Sequence, residues 1–262
     1  MSAKIPTTPS LARLVQHATW NEQTDGQSGG SVFRLDYAHE RSLFIKYGAA
    51  ALADAIADEH IRLNWLQGHA SVPDIVHFEH SDGQAWLVTG AVPGVPCHTA
   101  LLENADARHT VVESVARTLR SLHTTDVASC PFDASVDHRL LLARSNIDRG
   151  AVDPDDFDDE RAGWTVEQVW QRLLELRPQS SEAVVAHGDY SLDNVFVSGL
   201  EVSGLIDVGG TARADRYQDL ALMWRDLGEF GADLQDRFLE AYGLTEIDSS
   251  RLEFYLCLDE LF

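Results

Sequence analysis

The stretch "VVAHGDYSLDNVFV", Val184 to Val197, places a histidine, two aspartates and an asparagine between two apolar runs. The apolar runs are typical of buried strands. Polar groups in such a place cost free energy unless something charged satisfies them. We therefore interpret the polar segment as a site for a metal ion, a phosphate group or both.

The spacing in this segment is that of the protein-kinase catalytic loop, H-R-D-x-x-x-x-N. Asp189 precedes Asn194 by five residues, and His187 lies two residues before Asp189. In kinases the aspartate accepts the proton of the attacking hydroxyl group and the asparagine binds Mg²⁺. The motif predicts these roles for Asp189 and Asn194, and it predicts that His187 orients the loop through hydrogen bonds.

A second oxygen donor follows in "GLIDVGG", where a predicted strand ends at Asp207, thirteen residues after Asn194. Mg²⁺ takes hard oxygen ligands, so Asp207 is the second predicted ligand. The Asp-Val-Gly context differs from the kinase Asp-Phe-Gly. The prediction therefore depends on Asp189, Asn194 and Asp207 occurring in order together with Lys46 and Glu59, which come earlier in the chain.

The N-terminal third carries a candidate ion pair. Residues 50–68 are predicted to form a helix whose inward stripe has spacings of 4, 3, 4 and 3 residues: Leu52, Ile56, Glu59, Leu63 and Leu66. A carboxylate on a buried stripe needs a cationic partner, and Lys46 ends the preceding strand "LFIKY". Kinases use such a pair to hold the phosphates of a nucleotide. The alternative is that Glu59 extends to solvent and Lys46 is only a strand-end residue.

"GQSGGSVFRL", Gly26 to Leu35, is the candidate phosphate-covering loop, because small residues let backbone N–H groups approach phosphate oxygens. It is neither a Walker loop nor G-x-G-x-x-G. It does match the hydrolase motif G-x-S-x-G, but that motif needs a preceding strand, and here a strand follows. A plain hairpin turn is the remaining alternative.

The pattern of elements predicts an α+β chain. Strands are predicted over 30–47 and in the segment "SVPDIVHFEHSDGQAWLVTGAV", with a short linker at 92–96. Beyond the linker, helices are predicted over 107–123, 135–149, 165–176, 214–228, 232–242 and 249–260, with strands around 187–208. A β-rich first lobe with one helix thus precedes a mostly helical second lobe, and we expect the site where the lobes meet.

Composition limits the class of partner. The 262 residues have a net charge of −22, which repels nucleic acid and anionic membranes and favours a cationic partner, unless the acidity only aids solubility. Cys97, Cys130 and Cys257 fit neither a zinc site nor a disulfide framework, so we expect a reducing cytoplasm. Neither a signal-peptide core nor an apolar run long enough to span a membrane is present.

Together these motifs resemble the aminoglycoside phosphotransferases, in particular the 3'-phosphotransferases. The similar segments run from Trp20 to Phe262 and include "HGDYSLDNVFV", "GLIDVGGTARADRYQDLALMWRDL", "WLVTGAVPGVP", "AVDPDDFDDERAGW" and "LEFYLCLDELF". The resemblance implies a protein-kinase-like two-lobed fold, with an N-terminal nucleotide-binding lobe (1–92) and a C-terminal catalytic and drug-binding lobe (93–262).

The resemblance also implies a reaction and its residues. The γ-phosphate of ATP or GTP, with Mg²⁺, would pass to the 3'-hydroxyl of a kanamycin- or neomycin-type drug and so confer resistance. Asp189 would be catalytic, and Asn194 and Asp207 would hold Mg²⁺. The nucleotide would be bound by Ser28, Lys46, Glu59, Gly90 and Val92, the last two in a hinge at Thr89–Val92. The ammonium groups of the drug would be met by the carboxylates of Asp156, Asp158, Asp159, Asp226, Glu229, Asp259 and Glu260 and by the terminal carboxylate of Phe262, and Arg225 would belong to the same wall of the site.

Three alternatives stay open. The acidic loop, residues 153–160, could be only a solvated surface loop. The chain could be a kinase of the same fold for another small amine or sugar. It could also be a non-catalytic drug-binding relative, because Gly210 stands where the family usually has arginine. Arg213 is the nearest alternative cation to that position.

Overall fold

The computed structural model describes residues 5–23 and 30–262 of the chain. These residues form two compact units. The first runs to Gly94 and also includes Ser203–Gly209, and the second comprises Val95–Val202 and Gly210–Phe262. The sequence did not predict that residues 203–209 belong to the first unit. The functional division into lobes 1–92 and 93–262 stays a prediction.

An antiparallel sheet dominates the first unit. Its strands are β1 (Thr19–Gln23), β2 (Ser31–Asp36), β3 (Leu43–Ala49), β4 (Ile75–Ser81) and β5 (Gln84–Gly90), in the spatial order β1-β2-β3-β5-β4. The predicted helix is α2 (Ala51–Leu66). A further six-residue helix, α1 (Pro9–Leu14), precedes the sheet and was not predicted. Its one capped turn is too short to show a periodic apolar pattern.

The two faces of this sheet have different neighbours. Ile45 of β3 packs in an apolar cluster with Leu11 of α1, Trp86 and Val88. Successive strand residues point to opposite faces, so Lys46 points to the other face, against which α2 packs. The sheet geometry thus directs the lysine toward the helix that carries Glu59.

The inward stripe of α2 differs from the prediction at one end. Ile56, Leu63 and Leu66 are buried, whereas Leu52 is 36% exposed and Ala53 is fully buried in its place. Leu52 lies in the first turn, over the end of β3, where Gly48 leaves room for it. The stripe therefore begins with a small residue, because the sheet approaches the helix closely at this point.

Helices make up most of the second unit, which confirms the predicted α+β class. They are α3 (Cys97–Glu103), α4 (Arg108–His123), α5 (Val136–Asp148), α6 (Val166–Leu176), α7 (Tyr217–Gly228), α8 (Ala232–Tyr242) and α9 (Ser249–Asp259). The short strands are β6 (Val95–Pro96), β7 (Ala183–Ala186), β8 (Val195–Ser198) and β10 (Ala212–Asp215), and β9 (Glu201–Leu205) begins in the second unit and ends in the first. β7 pairs with β10, and β8 lies between β6 and β9.

Most of the predicted helices agree with the structure to within one or two residues. The helix predicted from 214 begins instead at Tyr217, because Ala212–Asp215 pair with β7 as a strand. Helix α3 was not predicted. No helix among residues 5–23 and 30–262 is both long and apolar enough to span a membrane.

Candidate functional site

Lys46 lies between two carboxylates in the first unit. Its Nζ donates to Glu59 Oε1 and Oε2, at 2.7 and 2.9 Å, and also to Asp207 Oδ1. The Glu59 side chain is only 14% exposed, so it pairs with Lys46 instead of extending to solvent. Burial lowers the pKa of Lys46, but the charges of Glu59 and Asp207 outweigh it and raise the pKa. The lysine therefore stays a fixed cation.

Asp207 reaches Lys46 through an unusual backbone. Its φ is 54°, a left-handed conformation that side-chain-bearing residues seldom adopt. The preceding segment is tied to the first unit by the Leu205 N–H, which donates to the Ser71 carbonyl at 2.9 Å. Such strained residues persist only where surrounding contacts hold them, and they concentrate at functional sites.

The predicted hinge is anchored in the first unit. The Gly90 N–H donates to the Asp74 carbonyl at 2.9 Å, and Arg41 Nε donates to the Ala91 carbonyl at 2.8 Å. A Cβ at position 90 would lie 3.1 Å from the Arg41 guanidinium carbon, so glycine allows this close approach. Val92 lines a cavity of about 500 Å³ with Arg41, Pro93, Ser203 and part of the loop at 67–75.

The predicted phosphate-covering loop, Gly26 to Leu35, is described only from Gly30 onward. Ser28 and its neighbours at 24–29 lie outside the described residues.

In the second unit, Asn194 holds Asp189. The Asn194 Nδ2 donates to Asp189 Oδ2 at 2.7 Å and to the Asp189 carbonyl at 3.0 Å. The Asp189 N–H donates to His187 Nδ1 at 3.3 Å, and His187 is fully buried. This contact supports the orienting role predicted for His187. Because the Asn194 NH₂ group faces Asp189, the Asn194 amide oxygen faces away from Asp189.

Asp219 of α7 anchors this loop, and the sequence analysis missed it. Its Oδ2 accepts from the His187 N–H at 2.8 Å, and its Oδ1 accepts from the Gly188 N–H at 2.8 Å. Its Oδ2 also contacts His123 Nε2 at 2.9 Å, and the side chain is fully buried. A signal existed in "QDLALMW", because an aspartate in an apolar helix needs partners.

Gly210 packs against Gly188. A Cβ at Gly188 would lie 2.3 Å from the Gly210 carbonyl oxygen, and one at Gly210 would lie 3.2 Å from the Gly188 backbone. The missing side chain at 210 thus fits a tight backbone contact. The Arg213 Nε donates to the Phe132 carbonyl at 3.2 Å.

The predicted drug-binding residues form linked groups in the second unit. Arg225 Nη1 donates to Asp259 Oδ2 at 3.0 Å, and its Nε donates to Asp226 Oδ1 at 3.3 Å. Asp226 Oδ2 accepts from the Leu192 N–H at 3.0 Å, which ties this group to the loop that carries Asp189. Burial raises the pKa of Asp226. Glu229 is 67% exposed and lies 3.3 Å from His98.

The remaining predicted drug-binding residues differ in exposure. Asp156 and Asp159 are exposed, whereas Asp158 and Glu260 are bound to Arg161, another residue the sequence analysis missed. The centroid of the Phe262 ring lies 3.6 Å from the Arg139 guanidinium carbon. Burial lowers the pKa of Arg139, and the nearby carboxylates of Asp259 and Asp189 oppose this only in part.

A metal could not be assigned from side-chain clusters alone. Among the residues that the structure describes, no group of three or more His, Cys, Asp or Glu side chains is arranged to hold one. Asn194 and Asp207 nevertheless offer an amide oxygen and a carboxylate oxygen, the donor types that Mg²⁺ prefers.

Comparison with known proteins gives matches over nearly the whole chain. The phosphotransferase enzyme family model matches residues 22–255. An aminoglycoside 3'-phosphotransferase from Escherichia coli is 44% identical, over 97% of this chain and 94% of the relative. The crystal structure of a type VIII aminoglycoside-3'-phosphotransferase is 37% identical, with a TM-score of 0.84 and 94% of each chain covered.

A further similar structure is that of a Streptomyces rimosus aminoglycoside phosphotransferase in complex with ADP and streptomycin. It is 28% identical, with a TM-score of 0.83, and the match covers 96% of this chain and 95% of that one. Both the extent and the identity of these matches exceed what a shared fold alone would give. The chain therefore belongs to the phosphotransferase enzyme family, among its aminoglycoside 3'-phosphotransferases.

Proposed function

We propose that this protein transfers the γ-phosphate of ATP or GTP to the 3'-hydroxyl group of kanamycin- and neomycin-type aminoglycosides, and so confers resistance to them. The observation that carries the reaction class is Lys46, a fixed cation bound by Glu59 and Asp207. A phosphate-transfer enzyme needs such a cation to orient the nucleotide. The 3'-phosphotransferase relatives support the substrate class.

Residues 1–92 are proposed to bind the nucleotide. Lys46, positioned by Glu59, would hold its phosphates, and Ser28 would lie in the covering loop. Gly90 and Val92 belong to the hinge that would bind the base. The ADP complex of the Streptomyces rimosus relative supports a nucleotide donor.

Chemistry is proposed to occur at Asp189 by direct in-line transfer. A bond forms between the drug hydroxyl oxygen and the γ-phosphorus as the bond to the β-phosphate oxygen breaks, and Asp189 accepts the hydroxyl proton. Asn194 keeps the carboxylate aimed through its 2.7 Å hydrogen bond. Mg²⁺, for which Asn194 and Asp207 are the proposed ligands, would neutralise charge on the phosphates.

Residues 93–262 are proposed to bind the drug. An aminoglycoside carries several ammonium groups, so its site must present carboxylates. The proposed carboxylates are those of Asp156, Asp158, Asp159, Asp226, Glu229, Asp259 and Glu260 and the terminal carboxylate of Phe262, and Arg225 is proposed for the same wall of the site. The three free cysteines, all buried, support a reducing cytoplasm as the compartment.

Mass spectrometry of kanamycin, streptomycin and hygromycin after incubation with protein, Mg²⁺ and each nucleotide tests this proposal. We expect a gain of one phosphoryl group on kanamycin, about 80 Da. A protein that phosphorylates none of the three drugs would contradict the proposed function.

The catalytic assignment has its own test. Replacement Asp189→Ala should lower kcat by at least about 10³-fold, because it removes the proposed proton acceptor, while the Kd for nucleotide stays within about twofold. Full turnover by Asp189→Ala would show that the carboxylate is not needed.

A further inference from the structure

Arg161 follows the acidic loop directly and is almost completely buried. Only 4% of its side chain is exposed, although a guanidinium group is costly to remove from water. It is not among the residues that the family resemblance assigns. The groups that bind this buried guanidinium must therefore compensate the cost of removing it from water.

The partners of Arg161 are two of the predicted drug-binding carboxylates. Its Nη1 donates to Asp158 Oδ2 at 2.5 Å and to Glu260 Oε1 at 3.4 Å. Its Nε contacts Cys257 Sγ of α9 at 3.4 Å. The Arg161 guanidinium thus joins Asp158 of the acidic loop to Glu260 at the end of α9, and these two residues lie 102 positions apart in the sequence.

The backbone reinforces the same junction. The Asp158 N–H donates to Glu260 Oε1 and Oε2, at 3.2 and 3.4 Å, and the Arg161 N–H donates to Asp158 Oδ1 at 3.2 Å. The side chains of Asp158 and Glu260 are only 23% and 8% exposed. Their oxygens are therefore largely used inside the protein. Burial and the neighbouring Asp158 carboxylate raise the pKa of Glu260 to about 7.

Other carboxylates of the loop are more exposed. Asp156 and Asp159 are exposed, and the Glu160 side chain is 79% exposed, although its Oε2 also lies 3.9 Å from Arg161 Nη1. Each lies within two residues of Asp158, whose backbone and side chain are bound to Glu260 and Arg161. The loop contains two capped turns, one capped by Asp153 and one by Asp158.

We propose that Arg161 is a positioning residue for drug binding: it fastens Asp158 to Glu260, and this fastening places the exposed carboxylates of the acidic loop for the ammonium groups of the drug. The inference rests on the proposed function for its substrate. It also changes the role of Asp158 and Glu260, which act mainly by holding the loop and only secondarily as direct ligands.

The experiment compares Arg161→Met with Arg161→Lys and with the control Arg172→Met. Arg172 of α6 is also bound to α9, because it donates to Glu253 at 2.6 and 2.8 Å. It bonds no carboxylate of the acidic loop. Arg161→Met should raise the KM for kanamycin at least about 10-fold, with kcat and nucleotide KM within about threefold. Arg161→Lys keeps the charge but loses the planar fork, so it should restore part of the affinity.

Hydrogen exchange without substrate gives a second readout. The backbone of residues 154–161 should exchange faster in Arg161→Met and at the native rate in Arg172→Met. A native KM for kanamycin in Arg161→Met, or equal KM increases in both methionine variants, would overturn the proposal. If the native enzyme phosphorylates no aminoglycoside, the proposed function fails, while the exchange data still decide whether Arg161 fastens the loop.

Glu260 separates holding from direct binding and also serves if Arg161→Met does not fold. The side chain introduced by Glu260→Gln keeps an oxygen that accepts from Asp158 and Arg161, so without substrate the backbone of residues 154–161 should exchange near the native rate in this variant and faster in Glu260→Ala. Exchange at the native rate in Glu260→Ala would mean that Glu260 does not hold the loop, and the proposal would be wrong.

Discussion

Position 188 has no room for a side chain, and its backbone conformation also favours glycine. Its φ is 93°, and the Gly210 carbonyl oxygen would lie 2.3 Å from an added Cβ. Both the conformation and the space exclude other residues. The glycine before Asp189 is thus explained by packing between two backbone segments, and Gly210 is its partner in that contact.

Replacement Gly188→Ala should lower the free energy of unfolding by about 2–4 kcal/mol, the sum of left-handed strain and a backbone clash. Urea denaturation measures it. Gly199→Ala is the matched control, because Gly199 has a φ of 66° but open space around a Cβ, and it should lose only about 1 kcal/mol. Equal losses would show that the contact with Gly210 is unimportant.

Glu260 predicts a pH dependence of stability. Its pKa in the folded protein is raised to about 7 from 4.5, so the folded state binds its proton more tightly than the unfolded state. This group therefore destabilises the protein increasingly as pH rises from about 4.5 to 7. Glutamine does not titrate. The free energy of unfolding of Glu260→Gln minus that of the native protein should therefore increase by about 1–2 kcal/mol between pH 5 and pH 8.

Denaturation midpoints at the two pH values measure this difference. Glu229→Gln, at a side chain that is 67% exposed, controls for the loss of one negative charge. A stability difference for Glu260→Gln that decreases with pH would contradict the predicted direction.

At the scale of elements, α7 is the support for the loop that carries Asp189. Asp219 binds two consecutive backbone N–H groups of that loop, and Asp226, two turns later on the same helix, binds the Leu192 N–H. The Gln218 side chain also donates to the Gly188 carbonyl at 3.2 Å. One helix therefore fixes both ends of the loop.

Replacement Asp219→Asn should destabilise the protein by about 2–4 kcal/mol, because the new NH₂ group faces a backbone donor and leaves a buried N–H without an acceptor. We expect kcat to fall at least about 10²-fold as the loop loses its position. Thermal or chemical denaturation and steady-state kinetics measure the two effects.

Asp233→Asn is the control, since Asp233 lies on α8 with a side chain 69% exposed. It should change stability by less than about 0.5 kcal/mol. Native kcat in Asp219→Asn would show that this hydrogen-bonded support is dispensable.

Across the whole molecule, the excess of acidic residues lowers the free energy of unfolding. The net charge of −22 is concentrated when the chain is compact, and repulsion between like charges opposes folding. Individual surface ion pairs contribute little against this excess. Screening should therefore favour the folded state.

Raising NaCl from about 50 to about 500 mM should raise the urea midpoint, since the screening length falls to a few ångströms. KCl at equal ionic strength should act alike, because screening depends on ionic strength and not on the identity of the cation. A midpoint that falls with salt would show that attractive pairs dominate the electrostatics.

Local patterns in the sequence determined most of the helices and strands, the Lys46–Glu59 pair and the Asp189–Asn194 pair, because each depends on apolar periodicity or on residues close together in the chain. Only the tertiary structure decided that Asp219 supports the loop, that Arg161 joins Asp158 to Glu260, and that residues 203–209 belong to the first unit. These contacts join segments tens of residues apart or more. Their partners are therefore chosen by packing and by the need to pair buried charge, which spacing along the chain does not record.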